Sequence, residues 1–511
     1  MSFQKSTEES EKEFKKRKFE IKKENLKRKN CIILLPFFYN FFYMGNISSP
    51  SLFIDLYELT MMQSYFFNNK NDVAVFDFFI RDREGAPRRF YVFAGLEFLI
   101  EFIENLKFSQ EDIKYISELG LFKDEFLDYL RNFKFEGDIF SVEEGRIVFP
   151  GEPLVEVVAP LPQAQIIETA LINLLQFPIL SATKFARCFL VSRGKLLVDF
   201  GARRAHSLWS AEVAARCAYI TGFHGTSLLS AGKKYGIPVY GTMAHSYIMI
   251  YEDEKQAFED FARLYNGTVL LVDTYDVEKG VKNAVEVIQK LKDYGIKIRG
   301  IRIDSGDLIE NSKKARRILD EAGLQDVFIF LSGGINEYKI KEILEAFSDL
   351  AGFGVGTEAT VSSDLPYLDC AYKLVEYGGI PRMKLSEGKK TFPGRKNVKR
   401  LYKAGKMMCD VIIPFSNPDD MPDESELDSD FDSYEILLKK VVDHGQVVDK
   451  VEDKKKYILY CRDRFMRDFD MLPEYLKKLD PPKEGEKYPV LFGKEFSAIL
   501  HSTERKVQEK I

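Results

Sequence analysis

Between Leu196 and Tyr377 short apolar runs alternate with stretches of helical periodicity. The runs are LLVDFG from 196, PVYGTMA from 238, VLLVDT from 269, GIRIDSG from 300, VFIFLSGG from 327, LAGFGVGT from 350 and AYKLVEY from 371. A strand, a glycine-rich loop and a helix, repeated, is the pattern of a parallel β/α architecture, and this many runs predict an irregular barrel in preference to a doubly wound sheet. Upstream, residues 136–160 alternate apolar positions with Gly and Pro turns, which predicts short antiparallel strands. Helical patterns cover Gln110–Asn132, and an apolar-periodic helix covers Gln163–Ser192. The chain therefore divides into an extension (1–45), an amino-terminal α/β domain (46–165), a β/α barrel (166–385) and a carboxy-terminal region (386–511), of which the final stretch reads as helical with turns. A basic segment follows Met383, and the acidic stretch Asp419–Asp432 after it predicts a solvated loop.

The 511 residues exceed one ordinary core, in agreement with that division. A net charge of −5 excludes a general nucleic-acid binder but leaves room for a local basic pocket. The six cysteines, Cys31, Cys188, Cys217, Cys370, Cys409 and Cys461, contain no C-x-x-C pair. Neither a disulfide framework nor a zinc site is expected, and a reducing, cytoplasmic setting fits. The apolar run Cys31–Met44 is short for a membrane span. It reads as a docked extension, or as sequence preceding an internal start at Met44, before it reads as an anchor.

Most of the barrel runs end in residues with chemistry: Asp199, His245, Asp273, Asp304 and Ser332. Barrel active sites lie at the carboxyl ends of strands. Ser332-Gly333-Gly334 and Gly354-Val355-Gly356-Thr357 are suited to phosphate, because glycine lets backbone N–H groups approach an anion and a helix amino end favours negative charge. Asp304 is placed to accept ribose hydroxyls or to hold Mg²⁺ through water, while Asp307 reads as a helix cap. Arg203, Arg204 and Arg302 supply planar forks for carboxylate or phosphate. Phe200 offers a stacking surface, unless it is only a core residue. His245, set among anion-binding candidates, is a candidate for phosphoryl or proton chemistry.

These motifs resemble the nicotinate phosphoribosyltransferases. The similar segments are IDLYELTMMQSYF (54–66), LLVDFGARRAH (196–206), GFHGTS (222–227), GIPVYGTMAHSY (236–247), IRIDSGDL (301–308), FLSGGINE (330–337), GFGVGTEATVSSD (352–364) and YKLVEYGGIPRMKLSEGKKTFPGRK (372–396). The likeness begins near residue 46 and weakens beyond 400. It implies a fold of the type II phosphoribosyltransferase kind, an amino-terminal α/β domain feeding an irregular barrel. It also implies that nicotinate displaces pyrophosphate from phosphoribosyl pyrophosphate, with Mg²⁺ on the leaving group. ATP hydrolysis would be coupled through phosphorylation of His245. By the resemblance, Phe200 stacks one face of the pyridine and Tyr57 covers the other from the partner subunit of a homodimer. Arg203 and Arg302 line the nicotinate and pyrophosphate site, and Asp304 faces the ribose. Gly333, Gly334, Gly356 and Thr357 cradle the 5′-phosphate. Lys373, Lys384 and Lys396 are basic candidates for phosphate or ATP, and Arg81 for pyrophosphate. Ser227 stands where nicotinamide-using relatives carry an acid, which favours nicotinate. Leu228, where a polar residue is expected, is a departure that bears on the pyridine pocket. A quinolinate-using enzyme would lack the GTMAHS-type histidine motif, and a degenerate, non-catalytic barrel would not retain every motif residue. Neither nucleic acid nor membrane is expected as a partner.

Overall fold

A computed structural model describes residues 49–81, 87–385, 391–427, 430–448, 450–483 and 485–509. The extension 1–45, with Met44 and Cys31, lies outside the described residues.

A six-stranded parallel sheet forms the centre. It contains β6 (Leu196–Asp199), β7 (Gly225–Thr226), β8 (Thr268–Leu271), β9 (Ile298–Ile303), β10 (Phe328–Leu331) and β11 (Gly352–Val355), in the order β7-β6-β11-β10-β9-β8. The sheet is a barrel left open between β7 and β8. Five of the seven expected runs lie in it. The run from 238 contributes only one parallel bridge, Thr226 to Val239. The chain then leaves the sheet, so His245 opens a short helix, His245–Met249, where a strand end was expected.

The run from 371 belongs elsewhere. β12 (Cys370–Tyr377) pairs antiparallel with β1 (Val73–Ile80) in a second sheet. That sheet also holds β3 (Asp138–Ser141), β5 (Pro153–Pro160), β13 (Ile380–Pro381), β17 (Lys439–Asp443) and β18 (Gln446–Val447), ordered β13-β12-β1-β5-β3-β17-β18. β3, β5 and the short β4 (Ile147–Val148), which pairs with β2 (Tyr91–Val92), are the antiparallel strands expected over 136–160. The expected boundary at 385 therefore gives way to a mixed assembly, in which one sheet draws strands from three parts of the chain.

The carboxy-terminal region combines strands with the helices expected toward its end. β14 (Lys396–Lys403), β15 (Lys406–Pro414), β16 (Ser433–Ile436) and β19 (Val490–Phe492) form a four-stranded sheet flanked by helices Lys454–Met471 and Lys494–Gln508. Nor is the acidic stretch wholly solvated. Asp420 is buried, and its carboxylate accepts the N–H groups of Glu495 and Phe496 at 3.0 and 3.1 Å, tying down the start of the last helix.

The segment Leu161–Val191 is long and apolar enough to cross a membrane by composition. Its main part, the helix Glu168–Val191, instead packs against the helices Leu96–Asn105, Leu208–Ile220 and Glu337–Ala346 and against β2 and β12. Its buried face carries Lys184 and Arg187.

Candidate active site

The carboxyl ends of the parallel strands gather the polar groups. Asp199, ending β6, is buried; it accepts Gly201 N–H at 2.9 Å and the Thr226 hydroxyl at 2.7 Å. Burial pushes its carboxyl up to about 6, against the pull of those two hydrogen bonds. Asp199 thereby ties β6 to β7 and fixes the following turn. There Phe200 donates its N–H to Val355 O, and its ring packs over the bare Cα of Gly354 toward Phe330. A Cβ on Gly354 would lie 2.4 Å from that ring, so glycine is what lets the phenyl lie across β11. Arg203 and Arg204 follow in a single exposed turn, Ala202–Arg204.

Arg302, next to last in β9, organises the opposite wall. Its Nη1 donates to Asp304 Oδ1 at 3.2 Å and to Ser332 Oγ at 3.1 Å, and its Nη2 donates to Met243 O at 2.7 Å. Its Nε is buried with no protein partner. Burial lowers the pKa of this guanidinium, and the nearby Arg203 cation adds to the effect. Two guanidinium groups close enough to repel are a receptor for an anion that binds between them.

Asp304 also lies 3.7 Å from His245 Nε2, through Oδ2, and takes a hydrogen bond from the Ser332 hydroxyl. Asp273, after β8, accepts the N–H of Asp304 at 2.8 Å and the Ser305 hydroxyl at 2.6 Å, while its Oδ1 is buried without a partner. His245 Nδ1 is held 3.1 Å from Thr274 Oγ1. The sequence marked Asp273 as a strand end without a role and Ser332 as part of a phosphate loop, not as the partner of Arg302 and Asp304. Thr274 and the Met243 carbonyl carried no sequence signal, since both act through contacts made across the sheet.

Two glycine loops close the site on the β10 and β11 side. Gly333 has φ +85°, and a Cβ there would meet Asp304 O at 1.8 Å. Gly334, at φ +63°, faces open space. The helix Glu337–Ala346 follows, capped by Asn336, whose Oδ1 accepts Lys339 N–H. Gly356 and Thr357 begin the short turn Thr357–Thr360 directly after β11. Ser227 is exposed at the end of β7, and half-buried Leu228 donates its N–H to Thr226 Oγ1.

Five expected residues lie on or beside the antiparallel sheet. Tyr57 is exposed on the helix Leu56–Phe67 and lines a groove with Tyr65, Glu168, Tyr372 and Lys373. Burial and then the Glu168 carboxylate raise the pKa of its phenol. Lys373 Nζ pairs with Glu168 at 2.8 Å. Lys384 is exposed beyond β13. Arg81 pairs with Asp369 at 3.4 Å. Lys396 is 1% exposed and committed to Asp77, so its ammonium is taken up inside the fold, where a phosphate-binding role had been expected.

Comparison with known proteins extends this geometry. Residues 52–176 match the nicotinate phosphoribosyltransferase N-terminal domain, and residues 196–391 match the nicotinate phosphoribosyltransferase family. The chain is 41% identical over 441 residues to nicotinate phosphoribosyltransferase pncB2 of Mycobacterium tuberculosis, covering 86% of this chain and 91% of that protein. It is 42% identical over 362 residues to the Bacillus subtilis nicotinate phosphoribosyltransferase, covering 69% and 73%. Its fold matches the crystal structure of human nicotinic acid phosphoribosyltransferase with a TM-score of 0.76 at 25% identity, over 88% of this chain and 99% of that one.

Proposed function

The chain belongs to the nicotinate phosphoribosyltransferase family, and from this we propose that it joins nicotinate to phosphoribosyl pyrophosphate, forming nicotinate mononucleotide and pyrophosphate for NAD synthesis in the cytoplasm. The observation that carries the reading is the convergence at the strand ends of one parallel sheet of Arg302 bound to Asp304, of Arg203 near enough to act on Arg302, of Phe200 lying across Gly354, and of two glycine loops. A ring nitrogen attacks the anomeric carbon as the bond to pyrophosphate breaks, so charge shifts from the sugar to the leaving group. Arg203 and Arg302 bind the nicotinate carboxylate and the leaving pyrophosphate through charge-assisted hydrogen bonds. Phe200 supports one face of the pyridine. Asp304, already aligned by Ser332 and Arg302, orients the ribose hydroxyls. The backbone N–H groups of Gly333, Gly334, Gly356 and Thr357 hold the 5′-phosphate. Alignment and charge neutralisation of this kind supply most of the rate in such a displacement.

Mg²⁺ is part of the proposal. The free Oδ1 of Asp273 and the nearby carboxylate of Asp304 are the hard oxygen donors such an ion prefers. When bound it neutralises charge on the leaving pyrophosphate. ATP enters at His245. With Nδ1–H donated to Thr274, Nε2 keeps its lone pair for the γ-phosphorus; the N–P bond forms as the bond to ADP breaks. Ser227 puts no carboxylate against nicotinate, which favours the acid over its amide. Hydrogen bonds to charged groups contribute about 1.5–3 kcal/mol each. Nicotinamide should therefore be used at least ~10-fold less efficiently.

The test is purified protein with phosphoribosyl pyrophosphate and nicotinate, nicotinamide or quinolinate, with and without ATP. Product from nicotinate, stimulated by ATP, is expected. Equal use of the acid and the amide would overturn the substrate assignment.

A further inference from the structure

Behind the two glycine loops lies a set of buried charges that the reaction described above does not use. Lys184, on the core helix, is 1% exposed. Its Nζ lies 2.8 Å from Glu337 Oε1 and 2.9 Å from Asp364 Oδ1. Glu337 opens the helix that follows the Ser332–Gly334 loop, and Asp364 follows the turn that begins at Gly356. One ammonium group thus holds a carboxylate from each loop's flank. Arg187, one turn along the same helix, donates Nε to Glu337 Oε1 at 2.9 Å. Arg88 reaches Asp364 Oδ1 at 3.1 Å and the Ser362 hydroxyl at 2.5 Å. Nearer the surface, Asn336 Nδ2 donates to Glu358 Oε2 at 3.0 Å. The loops are joined twice, by Asn336–Glu358 above and by Glu337–Lys184–Asp364 below.

Burying an ion is unfavourable unless it is paired, and such a cluster is retained where it fixes one arrangement. Here the fixed quantity is the separation of two loops whose glycines supply little side-chain packing of their own. The cluster has three cations, Lys184, Arg187 and Arg88, and two carboxylates, Glu337 and Asp364. The surplus positive charge sits on the side of the loops opposite the proposed phosphate.

We propose that Lys184 is a positioning residue for the phosphoribosyl substrate: it sets the spacing of the two glycine loops and, with Arg88 and Arg187, biases them toward a phosphate dianion. This rests on the reading of those loops as the 5′-phosphate cradle. The test compares Lys184→Met and Lys184→Arg with wild type by steady-state kinetics, calorimetric titration with ribose 5-phosphate, and melting temperature. Lys184→Met should raise KM for phosphoribosyl pyrophosphate, and weaken ribose 5-phosphate binding, by at least ~10-fold, while KM for nicotinate stays within ~2-fold. Lys184→Arg should recover most of the loss. A folded Lys184→Met protein that binds ribose 5-phosphate as tightly as wild type overturns the proposal, as does an equal rise in both KM values. If Lys184→Met does not fold, Glu358→Ala, which cuts the outer tie, must weaken ribose 5-phosphate binding selectively; unchanged binding there also overturns it. Wild-type protein that forms product yet shows no affinity for ribose 5-phosphate removes the cradle reading itself, and this proposal with it.

Discussion

Gly333 and Gly334 are adjacent glycines with different constraints. Both have positive φ, but only at Gly333 would a Cβ run into backbone, 1.8 Å from Asp304 O. Gly333→Ala must therefore push apart the β9 and β10 loop ends that hold Asp304 and the proposed phosphate cradle. It should lower kcat/KM by ~100-fold or more. Gly334→Ala meets open space and carries only the left-handed backbone cost of about 1–2 kcal/mol. It should keep activity within ~10-fold, and parallel kinetics on the two variants check the contrast. His245→Ala should abolish ATP stimulation and the acid-labile label from γ-labelled ATP while leaving ATP-independent transfer; normal coupling in this variant would end the phosphohistidine reading. At this scale the sequence displayed the residue types at strand ends, so Asp304 and Arg302 could be named in advance. It did not display their bonding. Ser332 joins Arg302 and Asp304 from a strand about thirty positions away, a relation set by sheet order. Lys396 misled for the opposite reason: its basic neighbourhood reads as a phosphate patch, but its partner Asp77 lies 319 residues upstream.

Strands were legible where apolar residues outnumber charged ones and illegible where buried charges dominate the pattern. β6, β8, β9, β10 and β11 were anticipated from their apolar residues, although β9 carries two arginines. β14, KNVKRLYK, is buried along nearly its whole length, yet half its residues are basic. Arg400 is fully buried because Asp410, opposite it on β15, accepts its Nε and Nη2 at 2.8 and 2.6 Å, while Nη1 donates to Ile147 O. Breaking such a pair costs about 3–5 kcal/mol, so the strand holds, but its period-two signal is hidden. The helix Leu56–Phe67 docks in a related way. Its Glu58 is buried, with Oε1 accepting the Thr169 N–H and hydroxyl and Oε2 unpartnered. Burial raises its pKa from 4.5 to about 7. A raised acid favours folding in its protonated form. Its contribution is complete below about pH 4.5 and is lost as pH rises through about 7. Glu58→Gln keeps the neutral form at every pH. The variant should melt higher than wild type at pH 8, and the difference should close toward pH 4. Melting curves across that range decide it; a constant difference would show that Glu58 does not titrate on folding.

Across the whole molecule, the distribution of apolar surface bears on assembly. Leu208 is 91% exposed and Leu229 74%, on the helices that follow β6 and β7, and Ile250, 76% exposed, follows the short helix that His245 opens. Leu56 and Tyr57, about half exposed, stand on the helix beside the antiparallel sheet. Within one chain Tyr57 has Glu168, Lys373 and Tyr372 as neighbours, a different set from Arg302, Asp304 and Phe200. We propose a closed two-fold dimer in which each chain's helix covers the other's barrel mouth, an arrangement that would cover both sets of apolar residues at once. In the homodimer proposed here, Tyr57 of one subunit completes the pyridine site of the next. Tyr57→Ala and Arg302→Ala should each be nearly inactive alone. Mixed in equal amounts and allowed to exchange subunits, half of the dimers are hybrids. Each hybrid has one site with both defects and one with neither, so the mixture should regain about one quarter of wild-type activity. Recovery on mixing, measured against each variant at the same total concentration, checks the shared site. If the mixture stays at the level of the two variants although mass spectrometry shows hybrid dimers, Tyr57 serves its own chain and the inter-subunit site is excluded.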